Sequence, residues 1–109
     1  MKTLPSLREK KRYIFFKVHA DEPIPYQTLK DVIMDGLIEF LGERGLARSK
    51  VRLIKNLWKT DRGVLQTTPK AVDEVKVALA LIHQIGDQRV LFQTLRVSGT
   101  IKAGKTKAQ

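Results

Sequence analysis

The eight residues Arg12–His19 constrain the fold of this chain more than any other stretch. They are its densest run of aromatic and β-branched residues, and such a run predicts a β-strand. Because successive side chains alternate across a sheet, the strand has two different faces. We expect one face to be buried and the strand to be central in its sheet. The first face would carry Ile14, Phe16 and Val18, and the second would carry Tyr13, Phe15 and Lys17.

The rest of the chain predicts the element order β-α-β-β-α-β. Apolar residues at three- and four-residue spacing predict two helices. The first would begin near Pro25 and stop at Gly42 and Gly45, and the second would be capped by Thr68 and end at Gly86. The strands that follow the first are predicted at Lys50–Lys59, Val64–Thr67 and Arg89–Val97. We therefore predict an α+β, ferredoxin-like (RRM-like) two-layer sandwich, with two helices on a four-stranded antiparallel sheet.

The charge of the chain is concentrated at its two ends. The 109 residues carry a net charge of +10. Residues 1–12 hold five bases and one acid, and residues 89–109 hold five bases and no acid. We predict a basic N-terminal arm (1–11), a sandwich domain (12–97) and a basic C-terminal tail (98–109). Cationic arms of this kind reach phosphates and release counterions, which predicts a nucleic-acid partner.

Several classes of protein are disfavoured by what the sequence lacks. There are no cysteines, so disulfides and thiol chemistry are excluded. No apolar run approaches the roughly 18–20 residues that cross a bilayer, and we expect an intracellular, cytoplasmic protein with no membrane contact. His19 and His83 fall on different elements and have no companion ligands. We expect no catalytic residue, no metal site and no bound cofactor in the chain.

The sheet face turned away from the helices is predicted to be apolar. If Leu91, Leu95 and Val97 point inward on the last strand, Phe92 points outward beside the aromatic residues of the first strand. The second helix also has apolar residues outside its core-facing stripe. A large exposed apolar patch usually marks a docking site. The predicted protein interface comprises Tyr13, Phe15, Trp58, Val77, Leu81 and Phe92.

Two other uses of such a fold fit the sequence less well. An RNA-recognition motif displays aromatic rings on its first and third strands for base stacking. Here the segment Arg62–Thr67 begins with a basic residue and a glycine but has no aromatic residue, so docking of a protein on this face is favoured. Acylphosphatases share the element order and hold phosphate in the loop after the first strand. In this chain that loop, His19–Pro23, is acidic and has no glycine.

Two segments resemble the archaeal ribonuclease P protein component 2 family, the "Pop-five" subunit. They are Leu7–Val18 and Thr94–Lys102, and weaker similarity extends along the whole chain. The resemblance implies a protein subunit of the ribonucleoprotein that removes the 5′ leader from precursor tRNA. It also implies that the RNA subunit, with bound magnesium, performs the cleavage. A TIM-barrel-like protein subunit would be the partner, in a heterotetramer.

The residues expected to contact RNA are basic or follow the last strand. Ser98-Gly99-Thr100 combines two hydroxyls with a glycine that allows close approach of the backbone, although a plain turn accounts for it nearly as well. The open alternative is another RNA-binding module or a ribosomal-type protein of the same fold. The candidate RNA-binding residues are Lys10, Lys11, Arg12, Arg48, Lys50, Arg52, Lys55, Ser98, Gly99, Thr100, Lys102, Lys105 and Lys107.

Overall fold

The first strand is flanked by other strands on both sides, as the sequence predicts. The computed structural model describes residues 10–101. Its elements are β1 (Arg12–His19), α1 (Tyr26–Ser49), β2 (Arg52–Leu53), β3 (Arg62–Thr67), α2 (Val72–Leu81), β4 (Gln84–Ile85), β5 (Gln88–Arg89) and β6 (Leu91–Ser98). The main sheet has the order β2-β3-β1-β6, and β1 pairs antiparallel with both β3 and β6. The ferredoxin-like α+β prediction is confirmed.

One face of the sheet packs against the two helices and forms the core. Ile14, Phe16 and Val18 of β1 lie in this core, as the alternation predicted. Helix α1 contributes side chains at four-residue spacing, and α2 packs beside α1. The helical core residues are Leu29, Ile33 and Leu37 of α1 and Val75, Ala78 and Leu79 of α2. Burial of these apolar groups is the main force that holds the helices on the sheet.

Helix α1 is longer than predicted and is interrupted once. Gly42 has φ +74°, a conformation that favours glycine. The chain then resumes helical geometry through Gly45, and the helix ends at Ser49. Lys50 follows in the left-handed conformation and donates its N–H to the Leu46 carbonyl. The predicted stop is therefore confirmed at Gly42, where one helical segment ends, and is wrong at Gly45, which lies inside the second segment. Neither helix in the described range is long and apolar enough to cross a membrane.

The boundaries of the predicted second strand and second helix also shift. Of the predicted second strand, only Arg52–Leu53 forms a strand beside β3, and Lys59 makes an isolated bridge to Arg62. Thr68 makes no side-chain cap, and a 3-10 turn at Pro69–Ala71 precedes α2. Helix α2 ends at Leu81, and Gly86, with φ +60°, instead begins the turn of the β4–β5 hairpin. Glycine is favoured at the first central position of such two-residue hairpin turns.

A bulge in β6 changes which of its residues face the core. Phe15 pairs with Arg96 and Phe16 pairs with Thr94, so Leu95 is an extra residue that interrupts the alternation. Phe92 is consequently buried in the core, 5% exposed, with its ring centroid 5.9 Å from that of Phe16. Leu91 is 58% exposed. The prediction that Phe92 lies on the open face, with Leu91 turned inward, is wrong.

Trp58 also lies on the helix side of the sheet. It is partly buried and packs against the core. A Cβ atom added at Gly63 would lie 3.0 Å from Trp58 Cε3 and 2.7 Å from Phe16 Cζ, so the two rings close over the position where a side chain would be. Trp58 was predicted as part of a protein interface together with the residues of the open face, but it does not lie on that face.

Candidate nucleic-acid interface

The strand register places two candidate RNA-binding residues, Arg52 and Ser98, in one row at one end of the sheet. Arg52 pairs with Gln66, Gln66 with Tyr13, and Tyr13 with Ser98. Adjacent strands lie about 4.8 Å apart, so this row spans roughly 14 Å. Arg12 precedes Tyr13 and belongs to the same end. Residues that are 86 positions apart in the chain, Arg12 and Ser98, are thus brought together by the sheet.

The C-terminal end of α1 is attached to this end of the sheet. The Thr67 hydroxyl, at the end of β3, donates a 2.7 Å hydrogen bond to the Ser49 carbonyl. Both residues are buried. Thr67 is paired with Arg12 on β1, so this bond holds the end of α1, with its exposed neighbours Arg48 and Lys50, at the same end of the sheet.

A cleft of about 530 Å³ lies between the end of α1 and the start of α2. Three basic side chains and one acidic side chain line it: Lys10, Arg48, Lys70 and Glu74. Its local charge is therefore positive, and the Ser49 and Thr68 residues add hydroxyl-bearing neighbours. A concave, cationic surface of this kind favours a phosphate group, since basic side chains neutralise backbone charge and release counterions.

The segment after β6 approaches the start of β1. Ser98 is buried, and its hydroxyl accepts a 3.2 Å hydrogen bond from the Thr100 backbone N–H. Gly99 lies beside Arg12, since a Cβ atom there would be 3.7 Å from an Arg12 guanidinium nitrogen. The Ser98 hydroxyl thus helps to shape the turn, while Gly99 and Thr100 are exposed at the cationic end.

The structure does not bring every candidate to this end. Lys55 lies on the 3-10 turn after β2, where its Nζ is 5.8 Å from the centroid of the Tyr26 ring at the start of α1. Lys102, Lys105 and Lys107 lie outside the described residues. Lys70 was missed in the sequence analysis, because the sequence around it indicated only a helix start after Pro69. The gathered set is Lys10, Lys11, Arg12, Arg48, Lys50, Arg52 and Lys70.

The open face of the sheet offers little for base stacking. Phe15 lies there as predicted, between Val64 of β3 and Arg96 of β6. Phe15 is only 5% exposed, however, and Val64 is 4% exposed. A nucleobase needs a free ring face on which to stack. Tyr13 is the one half-buried aromatic residue of β1 on this face, so contact with RNA through phosphates is favoured over stacking.

These features define a class of protein: a ferredoxin-like α+β sandwich with a cationic end suited to RNA. Comparison with known families is more specific. The chain belongs to the Rpp14/Pop5 family, whose model matches residues 12–109. The resemblance noted in the sequence is thereby confirmed.

Individual relatives agree with this family. The chain is similar to proteins named "Ribonuclease P protein component 2" from three archaea. It is 38% identical to that of Thermococcus kodakarensis, over 94% of this chain and 86% of the relative. The identity is 40% for Archaeoglobus fulgidus, with 94% and 92% covered, and 36% for Methanocaldococcus jannaschii, with 98% and 79% covered.

The fold has a counterpart among solved structures. A chain in the cryo-EM structure of yeast ribonuclease MRP aligns with a TM-score of 0.68 at 10% identity. The alignment covers 92% of this chain and 79% of that one. At this identity the match concerns the fold alone.

Proposed function

We propose that this chain is a protein subunit of ribonuclease P, the ribonucleoprotein that removes the 5′ leader from precursor tRNA. Family membership and the archaeal relatives support this function. Within it, the cationic end of the sandwich binds the RNA subunit through backbone phosphates. The observation that carries this assignment is the cleft where Lys10, Arg48 and Lys70 converge from three different segments of the chain.

In this proposal the chain supports catalysis without performing it. RNA cleavage is carried out by the RNA subunit, which also holds the magnesium that the reaction requires. The role of the protein is to neutralise phosphates and to stabilise the folded RNA, since close packing of RNA strands is opposed by their charge. We further propose a cytoplasmic protein with a second protein partner, a TIM-barrel-like ribonuclease P subunit, in a heterotetramer.

The test is reconstitution of precursor-tRNA processing from the RNA subunit and the other protein subunits, with and without this chain. We expect the complete chain to increase 5′-leader removal, and the chain without RNA to cleave nothing. Absence of any effect on processing, together with tight binding to RNA, would favour the alternative of a different RNA-binding or ribosomal-type protein. Cleavage by the isolated protein, after controls for contaminating nuclease, would overturn the non-catalytic role.

A matched pair of variants tests the cleft. The triple variant Lys10→Gln/Arg48→Gln/Lys70→Gln removes its three cations. The control, Lys30→Gln/Lys59→Gln/Arg89→Gln, removes the same charge from exposed residues away from the cleft. We expect only the first to bind RNA markedly more weakly and to need more protein for full processing. Equal losses in both would show that net charge, rather than the cleft, determines RNA binding.

A further inference from the structure

The outer surface of the two helices carries a groove that the cationic end does not include. It has a volume of about 610 Å³ and lies between α1 and the end of α2. At Gly36 the Ile82 side chain, which follows α2, packs closely on α1, since a Cβ atom there would lie 3.0 Å from it. The lining residues from α1 are Val32, Asp35, Gly36, Glu39 and Phe40, and those that follow on α2 and β4 are Ala78, Leu81, Ile82, His83 and Gln84.

The α1 side of this groove is acidic. Asp31, Asp35 and Glu39 are spaced four residues apart on the uninterrupted part of α1, so they share one side of the helix. All three are exposed, and Asp35 and Glu39 line the groove itself. Asp31 accepts a 3.0 Å hydrogen bond from the Gln27 amide, while no ion pair involves Asp35 or Glu39 within residues 10–101.

Exposed apolar side chains border the same groove. Phe40 on α1 is 45% exposed and Leu81 on α2 is 58% exposed, and both line it. Val77 is 47% exposed and lies one helical turn before Leu81, so it extends the apolar strip along α2. Large apolar groups grouped beside a groove are typical of a protein docking site.

We propose that this groove, bordered by Asp35, Glu39, Phe40 and Leu81 and extended along α2 by Val77, binds a cationic, amphipathic segment of another protein subunit of the ribonucleoprotein. The proposal rests on the proposed function, which supplies such a partner. An apolar side chain of that segment would pack between Phe40 and Leu81. A lysine or arginine of the segment would pair with Asp35 or Glu39.

The negative charge of the groove favours a basic protein over RNA or a second copy of this chain as its occupant. In a chain with a net charge of +10, a rim of carboxylates that form no ion pair within residues 10–101 repels RNA and attracts a basic partner. The two macromolecular contacts are therefore separated in space: phosphates meet the cationic end, and a protein meets the acidic groove. A second copy of this chain would place one acidic rim near another if it docked through the same groove, which like-charge repulsion opposes.

The experiment compares two charge-reversal variants of the full chain. Asp35→Lys/Glu39→Lys reverses the rim of the groove, and Asp21→Lys/Asp87→Lys raises the net charge equally at exposed sites outside it. Each of the other purified ribonuclease P protein subunits is titrated singly against both variants and the wild type by calorimetry. We expect one subunit to bind the wild type and the control equally, and the groove variant about tenfold or more weakly.

The remaining outcomes overturn the proposal. Unchanged affinity of every subunit for the groove variant, or no binding of any subunit to the wild type, would exclude this surface as the docking site. Stronger RNA binding by the groove variant than by the control, which carries the same net charge, would make RNA the occupant. If sedimentation showed a dimer for the wild type and the control but a monomer for the groove variant, the occupant of the groove would be a second copy of this chain. If processing still depends on the chain in these cases, the proposed function stands and only the docking surface is wrong.

Discussion

Thr67 donates a buried 2.7 Å hydrogen bond from its hydroxyl to the carbonyl of Ser49, and this bond joins the end of β3 to the end of α1. Replacing Thr67 with valine keeps the shape of the side chain but leaves that carbonyl without its side-chain donor. We expect the free energy of unfolding to fall by about 1–2 kcal/mol, measured by urea denaturation.

A neighbouring threonine provides the control for this substitution. Thr68 makes no side-chain cap to the turn that follows it, so Thr68→Val should change the free energy of unfolding by less than about 0.5 kcal/mol. Equal destabilisation by the two substitutions would show that the hydrogen bond contributes nothing specific. Because Thr67 also fixes the segment that carries Arg48 and Lys50, Thr67→Val should weaken RNA binding as well.

The register of β6 is tested by two adjacent residues. Phe92→Ala removes a ring that packs on Phe16 in the core, and we expect a loss of about 3–5 kcal/mol in stability. Leu91→Ala shortens an exposed side chain and should alter stability by no more than about 0.5 kcal/mol. If Leu91→Ala destabilised the protein more than Phe92→Ala in thermal or urea unfolding, Leu91 would face the core. The bulge in β6 would then be wrong.

Gly63 is predicted to tolerate no side chain. A Cβ atom there would lie 2.7 Å from the Phe16 ring, so Gly63→Ala must displace an aromatic residue of the core. We expect a destabilisation of roughly 1–3 kcal/mol from overpacking. Gly99→Ala is the comparison, because among residues 10–101 its Cβ would meet only an Arg12 nitrogen, at 3.7 Å. A stable Gly63→Ala protein would show that the two rings move apart easily.

Binding of RNA should depend steeply on salt. If the cationic end contacts about five phosphates, the logarithm of the affinity should fall with the logarithm of the salt concentration at a slope of about −4. The cleft variant Lys10→Gln/Arg48→Gln/Lys70→Gln should reduce the steepness of that slope by about 1 for each phosphate that is no longer neutralised. A filter-binding titration measures both slopes, and a slope near zero for the wild type would contradict binding through phosphates.

Much of the fold could be predicted because its signals are local. The alternation in β1 assigned Ile14, Phe16 and Val18 to the core, and the helical spacing of Leu29, Ile33 and Leu37 assigned the buried side of α1. The faces of β6 could not be predicted in this way. A bulge at Leu95 adds one residue to the strand, so counting in twos from Val97 back to Phe92 arrives at the wrong face.

The candidate site shows the same division between local and long-range information. The basic residues and the family were readable from the sequence, but Lys70 joined the site only because α2 begins beside the end of α1. Lys55 is also basic, but it lies beside Tyr26 at the start of α1 and not at the cationic end. Proximity between segments depends on how the elements pack, and residue type carries no information about it.

By itself, the sequence determined the element types, the ferredoxin-like order, the excess of positive charge and the family, because periodicity, charge and motifs are properties of short stretches. Only the tertiary structure decided that Arg12, Arg48 and Lys70 share one end while Asp35 and Glu39 border a separate groove. The physical reason is that strand register and helix packing bring distant residues together. That arrangement separates the surface that suits RNA from the surface that suits a protein.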